Sequence, residues 1–204
     1  MKNVLSIFLI SLLLAGCRNL EQHYDLVSFN VNPNNTNFKV AVQDRRPYVL
    51  NGDKADTFVG IARTGIGTPL DVNTTSGKPF AEDVSKSIKF AFESRGARVD
   101  TYVLPVNLDE KAALSAATDS NQKTLLLVFH EWKSDRYRHM AMHYDFNAYV
   151  VDRTGKVLAV KKIQGSSHDD PEIAPKRGIV KSPQGFFAYK MEEVFSTPEI
   201  VNNL

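Results

Sequence analysis

Several things are scarce in this sequence. Its 204 residues include one cysteine and one tryptophan. A single thiol excludes an internal disulfide framework and every multi-cysteine metal site. Charge of one sign is not in surplus either: 25 Lys and Arg face 23 Asp and Glu, a formal net charge of +2. Nucleic-acid binders usually carry a basic excess on one element, so no nucleic-acid partner is expected. No internal repeat and no low-complexity tract occurs. What remains is ordinary: 43% hydrophobic and 24% charged residues, the composition of one packed domain.

The N-terminus begins with Lys2 and continues in an apolar run from Val4 to Leu14, broken by Ser6 and Ser11. A run of about 11 residues is too short to cross a hydrocarbon core, which takes about 20. It has the form of a secretory leader. The sole cysteine, Cys17, follows the small residues Ala15 and Gly16. Leu14-Ala15-Gly16-Cys17 resembles the bacterial lipobox, the signature cut by lipoprotein signal peptidase. The resemblance implies that Leu14, Ala15 and Gly16 are read by the peptidase and that residues 1–16 are removed. It also implies that Cys17 carries acyl chains into membrane lipid. Each buried methylene contributes about 0.8 kcal/mol, and stable anchoring needs more than one chain. Residue 18 is Arg and not Asp. By likeness to enterobacterial lipoproteins, that implies the outer membrane, facing the periplasm.

Residues 17–37 read as a lipidated end and tether, with a polar Asn-rich stretch and a few apolar positions that could lie against the domain. The periplasmic domain is then 38–204. Phe38, Val40 and Val42 alternate as a half-buried strand. Asp44-Arg45-Arg46-Pro47 ends it, because proline cannot donate to a ladder. Thr57 to Ala62 reads as a second strand, and 63–79, with its glycines and prolines, as a loop. Phe80, Val84, Ile88, Ala91 and Phe92 form a helical stripe after Pro79, with Gly96 just past its end. Ala97 to Leu104 reads as a strand, and Leu108 to Ala117 as a short helix. Lys123 to Lys133 contains a continuous apolar run suited to a central strand covered on both faces. Met140 to Val150 alternates. Arg153-Thr154-Gly155 turns the chain back through Lys156 to Ile163. Ser182-Pro183 opens a last helix bearing Phe187, Met191, Val194 and Phe195. The expected fold is a single α/β (α+β) domain, a mixed β-sheet with about three helices packed on it.

Candidate chemistry is thin. Near Gly60 to Gly67 the dinucleotide pattern fails because position 70 is Leu70. The Walker pattern around Gly77-Lys78 fails at Val72 and Pro79. No G-x-S-x-G elbow occurs. Ser166-Ser167-His168-Asp169-Asp170 reads as a solvated turn. His139 and His143 lie about 13 Å apart along a strand at about 3.3 Å per residue, too far to share one zinc ion. Either could pair with His130 on a neighbouring strand. Asp44, Arg45 and Arg46, and likewise Lys133, Arg136 and Arg138, read first as solvated strand ends. The second reading of each group is a site for a carboxylate or phosphate on lipid or peptidoglycan. Long glycine-containing loops are often functional, so Arg63, Gly65, Gly67 and Lys78 are candidates for contact with a partner.

Two motifs add a family likeness. One is the strand Val40-Ala41-Val42-Gln43-Asp44-Arg45-Arg46-Pro47; the other is the helix end Phe90-Ala91-Phe92-Glu93-Ser94-Arg95-Gly96 leading into a strand. Together with the lipobox they resemble the YajG-like bacterial lipoproteins. More loosely, the chain is similar to the α/β domains of the penicillin-binding-protein activator LpoB and the amino-terminal domain of TolB. The likeness implies a non-enzymatic binding or assembly role in the cell envelope, with no catalytic residue, no metal and no cofactor, and with another envelope protein as partner. Two alternatives stand beside it. One is a cell-wall or lipid hydrolase using the His130, His139 and His143 region. The other is a transport-auxiliary lipoprotein that binds lipid.

Overall fold

A computed structural model describes residues 21–32, 37–119, 121–167 and 182–204. The leader, the lipobox, Cys17 and His168 to Asp170 lie outside the described residues.

Eight strands form one sheet: β1 (Glu21–Gln22), β2 (Asn37–Asp44), β3 (Phe58–Arg63), β4 (Pro69–Thr74), β5 (Arg98–Leu104), β6 (Thr124–Arg136), β7 (Met140–Val151) and β8 (Val157–Ser166). The helices are α1 (Pro47–Leu50), α2 (Phe80–Glu93), α3 (Glu110–Ala117), α4 (Pro183–Ser196) and α5 (Pro198–Val201). This is the mixed α/β domain expected, with three longer helices and two single turns. No helix among the described residues is long and apolar enough to cross a membrane.

The thirteen-residue β6 organises the sheet. Along one edge it pairs antiparallel with β7 over its whole length, and β8 pairs outside β7. Its other edge is divided. Residues 124–129 pair in parallel with β2, and β5 lies outside β2. Residues 134–136 pair in parallel with β3, followed outward by β4 and β1. Two wings therefore share one central strand.

The apolar run of β6 is buried on both faces, as a central strand requires. Leu125, Leu127, Phe129 and Trp132 enter the main core with α2, α4 and the N-terminal segment. Leu126 and Val128 enter a smaller core under α3 with Ala113 and Ala117. Trp132 sits within 6.3 Å, centroid to centroid, of the rings of Tyr24, Phe80, Phe129, Phe146, Phe186 and Phe187. Rings at such separations and tilts stabilise beyond their buried area.

The helix boundaries follow local chemistry. Acidic Glu82 and Asp83 occupy the first turn of α2, where the helix dipole favours them. Its stripe residues Phe80, Val84, Ile88, Ala91 and Phe92 are all buried. Gly96 takes φ +88°, the left-handed value that suits glycine after a helix end. The Asp109 side chain accepts from the Ala112 amide to start α3, and the Ser182 hydroxyl accepts from the Gly185 amide to start α4.

Two expectations need correction. Residues 63–79 are not one loop, since Pro69 to Thr74 form β4 and close a hairpin with β3. The described part of the expected tether, residues 21–32, is packed on the domain: Tyr24, Val27 and Phe29 are core residues. The Ser87 hydroxyl accepts from the Val27 amide and donates to the Tyr24 carbonyl, fixing this segment on α2.

Candidate functional site

Between the two wings, β6 has passed out of register with β2 and not yet met β3. Arg46 fills that gap. It is fully buried, and its Nε and Nη2 donate to the two carboxylate oxygens of Asp44 at 2.8 and 2.7 Å. Its Nη1 donates to the carbonyls of Phe58 at 2.6 Å and Trp132 at 3.2 Å, and its Nη2 also reaches the Asp56 carbonyl. The Tyr48 hydroxyl shares its one proton between Glu131 Oε1 at 2.9 Å and the Trp132 carbonyl at 3.1 Å alongside. Burial pushes the Tyr48 phenol well above its ordinary range. A planar guanidinium with five donors matches this array, which an ammonium could not. The solvated strand end expected at Asp44 and Arg46 is thus a buried ion pair with a structural task. Arg45 is also engaged, donating to the Leu108 carbonyl. The Asp44 carboxylate and the Arg46 guanidinium are buried and turned inward, so this pair has no surface to offer a ligand.

The open chemistry lies at the far ends of β3, β6 and β7. There the β3–β4 and β6–β7 hairpin tips meet. Arg63 grips Asp135 with two hydrogen bonds, Nε to Oδ1 at 3.0 Å and Nη2 to Oδ2 at 2.7 Å. The Arg63 guanidinium holds the Asp135 carboxyl below its ordinary range. The Tyr137 hydroxyl donates to the Gly65 carbonyl across the tips. Within the β3–β4 tip the Thr64 hydroxyl accepts from the Thr68 amide, and Gly67 takes φ +90°, a turn conformation L side chains rarely adopt. A shallow groove of about 510 Å³ is lined by Arg63, Gly67, Asp135, Tyr137, His139 and His143, among others.

Of the residues singled out in sequence, Arg63, Gly65 and Gly67 sit at this tip with His139 and His143. Lys78 does not. It follows the opposite end of β4, where the Thr74 hydroxyl donates to its carbonyl. The register also sets His130 apart from His143. His143 stands opposite Lys133, three residues along β6 from His130, and His130 occupies a register irregularity between Phe129 and Glu131. Three residues of strand span about 10 Å. No group of three or more His, Cys, Asp or Glu side chains able to hold a metal occurs among the described residues.

A second surface lies at the border of the sheet. Among the described residues β5 pairs with β2 alone and closes the sheet on that side. Its outer edge carries the half-exposed Tyr102 and Val103. An unpaired edge of this kind can take a further strand.

No family model and no curated protein matches the sequence, so the likeness to YajG-like lipoproteins rests on the residues quoted for it. Among solved structures, a Xanthomonas campestris protein of the DUF330 family is similar with a TM-score of 0.48 and 14% identity, over 87% of this chain and 94% of that one. A second, an uncharacterized protein, is similar with a TM-score of 0.43 and 12% identity, over 83% of this chain and 97% of that one.

Proposed function

We propose that this chain is a lipid-anchored lipoprotein of the bacterial outer membrane, facing the periplasm, whose domain binds another envelope protein without catalysing a reaction. The observation that carries the reading is the lipobox Leu14-Ala15-Gly16-Cys17 holding the chain's single cysteine. The packed N-terminal segment supports it. Tyr24 is fully buried seven residues after Cys17, so an anchor at Cys17 would be coupled directly to the core. The edge of β5 is the surface suited to the partner, because strand addition needs only unpaired main-chain groups and pockets for alternate side chains.

The test has two arms. Mass spectrometry of the protein from its host, beside a Cys17→Ser variant, is expected to show acylated Cys17 and loss of membrane fractionation in the variant. A photocrosslinking residue at Tyr102 is expected to capture one envelope protein reproducibly, and the same residue at Arg153 is not. A free thiol at Cys17 would sink the anchoring. Equal capture from both positions would sink the edge-strand contact. Lipid retained by the intact protein in native mass spectrometry would favour the transport-auxiliary alternative instead.

A further inference from the structure

The directions of the strands say at which end of the sheet Glu21, the described residue nearest Cys17 in sequence, lies. β1 runs parallel to β4, with Glu21 opposite Asn73 and Gln22 opposite Thr74. β4 itself runs away from the hairpin tip, from Pro69 to Thr74. The Glu21 end of β1, the end joined to Cys17, therefore faces the tips. Glu21 is only four residues on from Cys17 in sequence, with three residues between them. Four residues reach at most about 14 Å. Four residues of strand, about 13 Å, separate Asn73 from Pro69, where β4 leaves the β3–β4 tip. An acyl group on Cys17 would thus hold this end of the sheet at the bilayer surface.

The surface chemistry of that end fits such a neighbour. Ile66, at the β3–β4 tip, is 92% exposed, the most exposed large apolar residue described. Leu70 beside it and Tyr137 on the β6–β7 tip are also exposed. Arg136 and Arg138 flank Tyr137, and neither has a carboxylate partner among the described residues. The one acid between the tips, Asp135, is neutralised by Arg63. Apolar and tyrosyl side chains beside arginines that have no carboxylate partner among the described residues are the composition of a headgroup-level contact with anionic lipid.

We propose that the β3–β4 and β6–β7 tips form a second membrane contact, in which Ile66 and Tyr137 enter the headgroup layer and Arg136 and Arg138 bind anionic phospholipid of the anchoring bilayer. The contact rests on the lipoprotein reading and deepens it. It fixes the orientation of the domain and leaves the β5 edge for the protein partner.

An acylated Cys17 leaves an introduced cysteine as the only reactive thiol, so the test uses the full lipidated chain. Ile66→Cys is labelled with an environment-sensitive fluorophore and reconstituted in vesicles of phosphatidylethanolamine and phosphatidylglycerol carrying nitroxide lipid. Arg153→Cys, on the turn at the opposite end, is the control. Strong quenching at residue 66 and little at residue 153 is expected. The Arg136→Glu/Arg138→Glu pair, or 0.5 M salt (Debye length about 4 Å), should bring the Ile66→Cys signal down toward the control. Equal quenching at the two positions, with Cys17 acylated by mass, overturns the tip contact and spares the anchor. An unacylated Cys17 overturns both. These sites are exposed, so the variants keep the fold, and unchanged Trp132 fluorescence verifies it.

Discussion

The Trp132 indole N–H donates to the Tyr24 hydroxyl at 3.1 Å, and through it the centre of the sheet is tied to the N-terminal segment. The Tyr24 hydroxyl in turn donates to Gln22 Oε1 at 2.7 Å, and Gln22 Nε2 donates to the Ser134 hydroxyl at 2.8 Å. All four side chains are buried. Burial accordingly drives the Tyr24 phenol far above its ordinary range. Tyr24→Phe should lower stability by about 1–3 kcal/mol, because it leaves buried polar groups unmatched. Trp132 is the only tryptophan, so its emission reads the docking of this segment directly. Urea titration followed by that emission checks the prediction; an unchanged midpoint would refute it.

Arg46 offers a harsher test. Arg46→Ala would strand the buried Asp44 carboxylate and several carbonyls, and breaking a buried pair this way costs about 3–5 kcal/mol. Arg46→Lys should not rescue it. An ammonium cannot reach the Asp44 oxygens and the Phe58 and Trp132 carbonyls together. Chemical denaturation of the two variants should place both well below the parent.

Gly60 lies where β3 presses on β6. A β-carbon there would stand 2.0 Å from the Ser134 hydroxyl oxygen and 2.6 Å from its carbonyl oxygen. Removing the hydroxyl relieves only the first clash. Gly60→Ala is therefore expected to destabilise by at least the about 1–3 kcal/mol of ordinary overpacking. Adding Ser134→Ala should restore part of that loss, a non-additivity that a double-mutant cycle measures.

Asp83 supplies a pH dependence. Burial pushes its carboxyl from 3.8 up to about 6; the Ser76 hydroxyl opposes the shift and the nearby Asp25 carboxylate adds to it. The folded state thus binds this proton more tightly than the unfolded state does. Its contribution favours folding below about pH 4 and is lost as pH rises through about 6. Asp83→Asn should raise Tm at pH 7.5 and change it little at pH 4. Thermal scans of the parent and variant at the two pH values decide the matter, and an equal shift at both would refute it.

Much of this architecture was legible in the residues. The alternation of Phe38, Val40 and Val42, the stripe on α2, and the Ser182-Pro183 start of α4 are local signals, and each element formed where they point. β4 was hidden because Val72 is its only buried apolar residue and Pro69 and nearby glycines imitate a loop. The Leu70–Val72–Thr74 alternation was its one trace. The meaning of Arg46 could not be read locally. Its burial follows from the division of one β6 edge between β2 and β3, a pairing made across distant parts of the chain. The tip surface was half visible: Arg63, Gly65 and Gly67 were marked, but the parallel run of β1 beside β4 that gives that end its orientation appears only in three dimensions.

The divided edge of β6 leaves this molecule without a seam. Neither wing has a spine of its own, since both lean on the same thirteen residues. Cutting the chain between the wings would not yield two surviving halves, and a disturbance in the middle of β6 would reach the β3–β4 and β6–β7 tips and the β5 border alike.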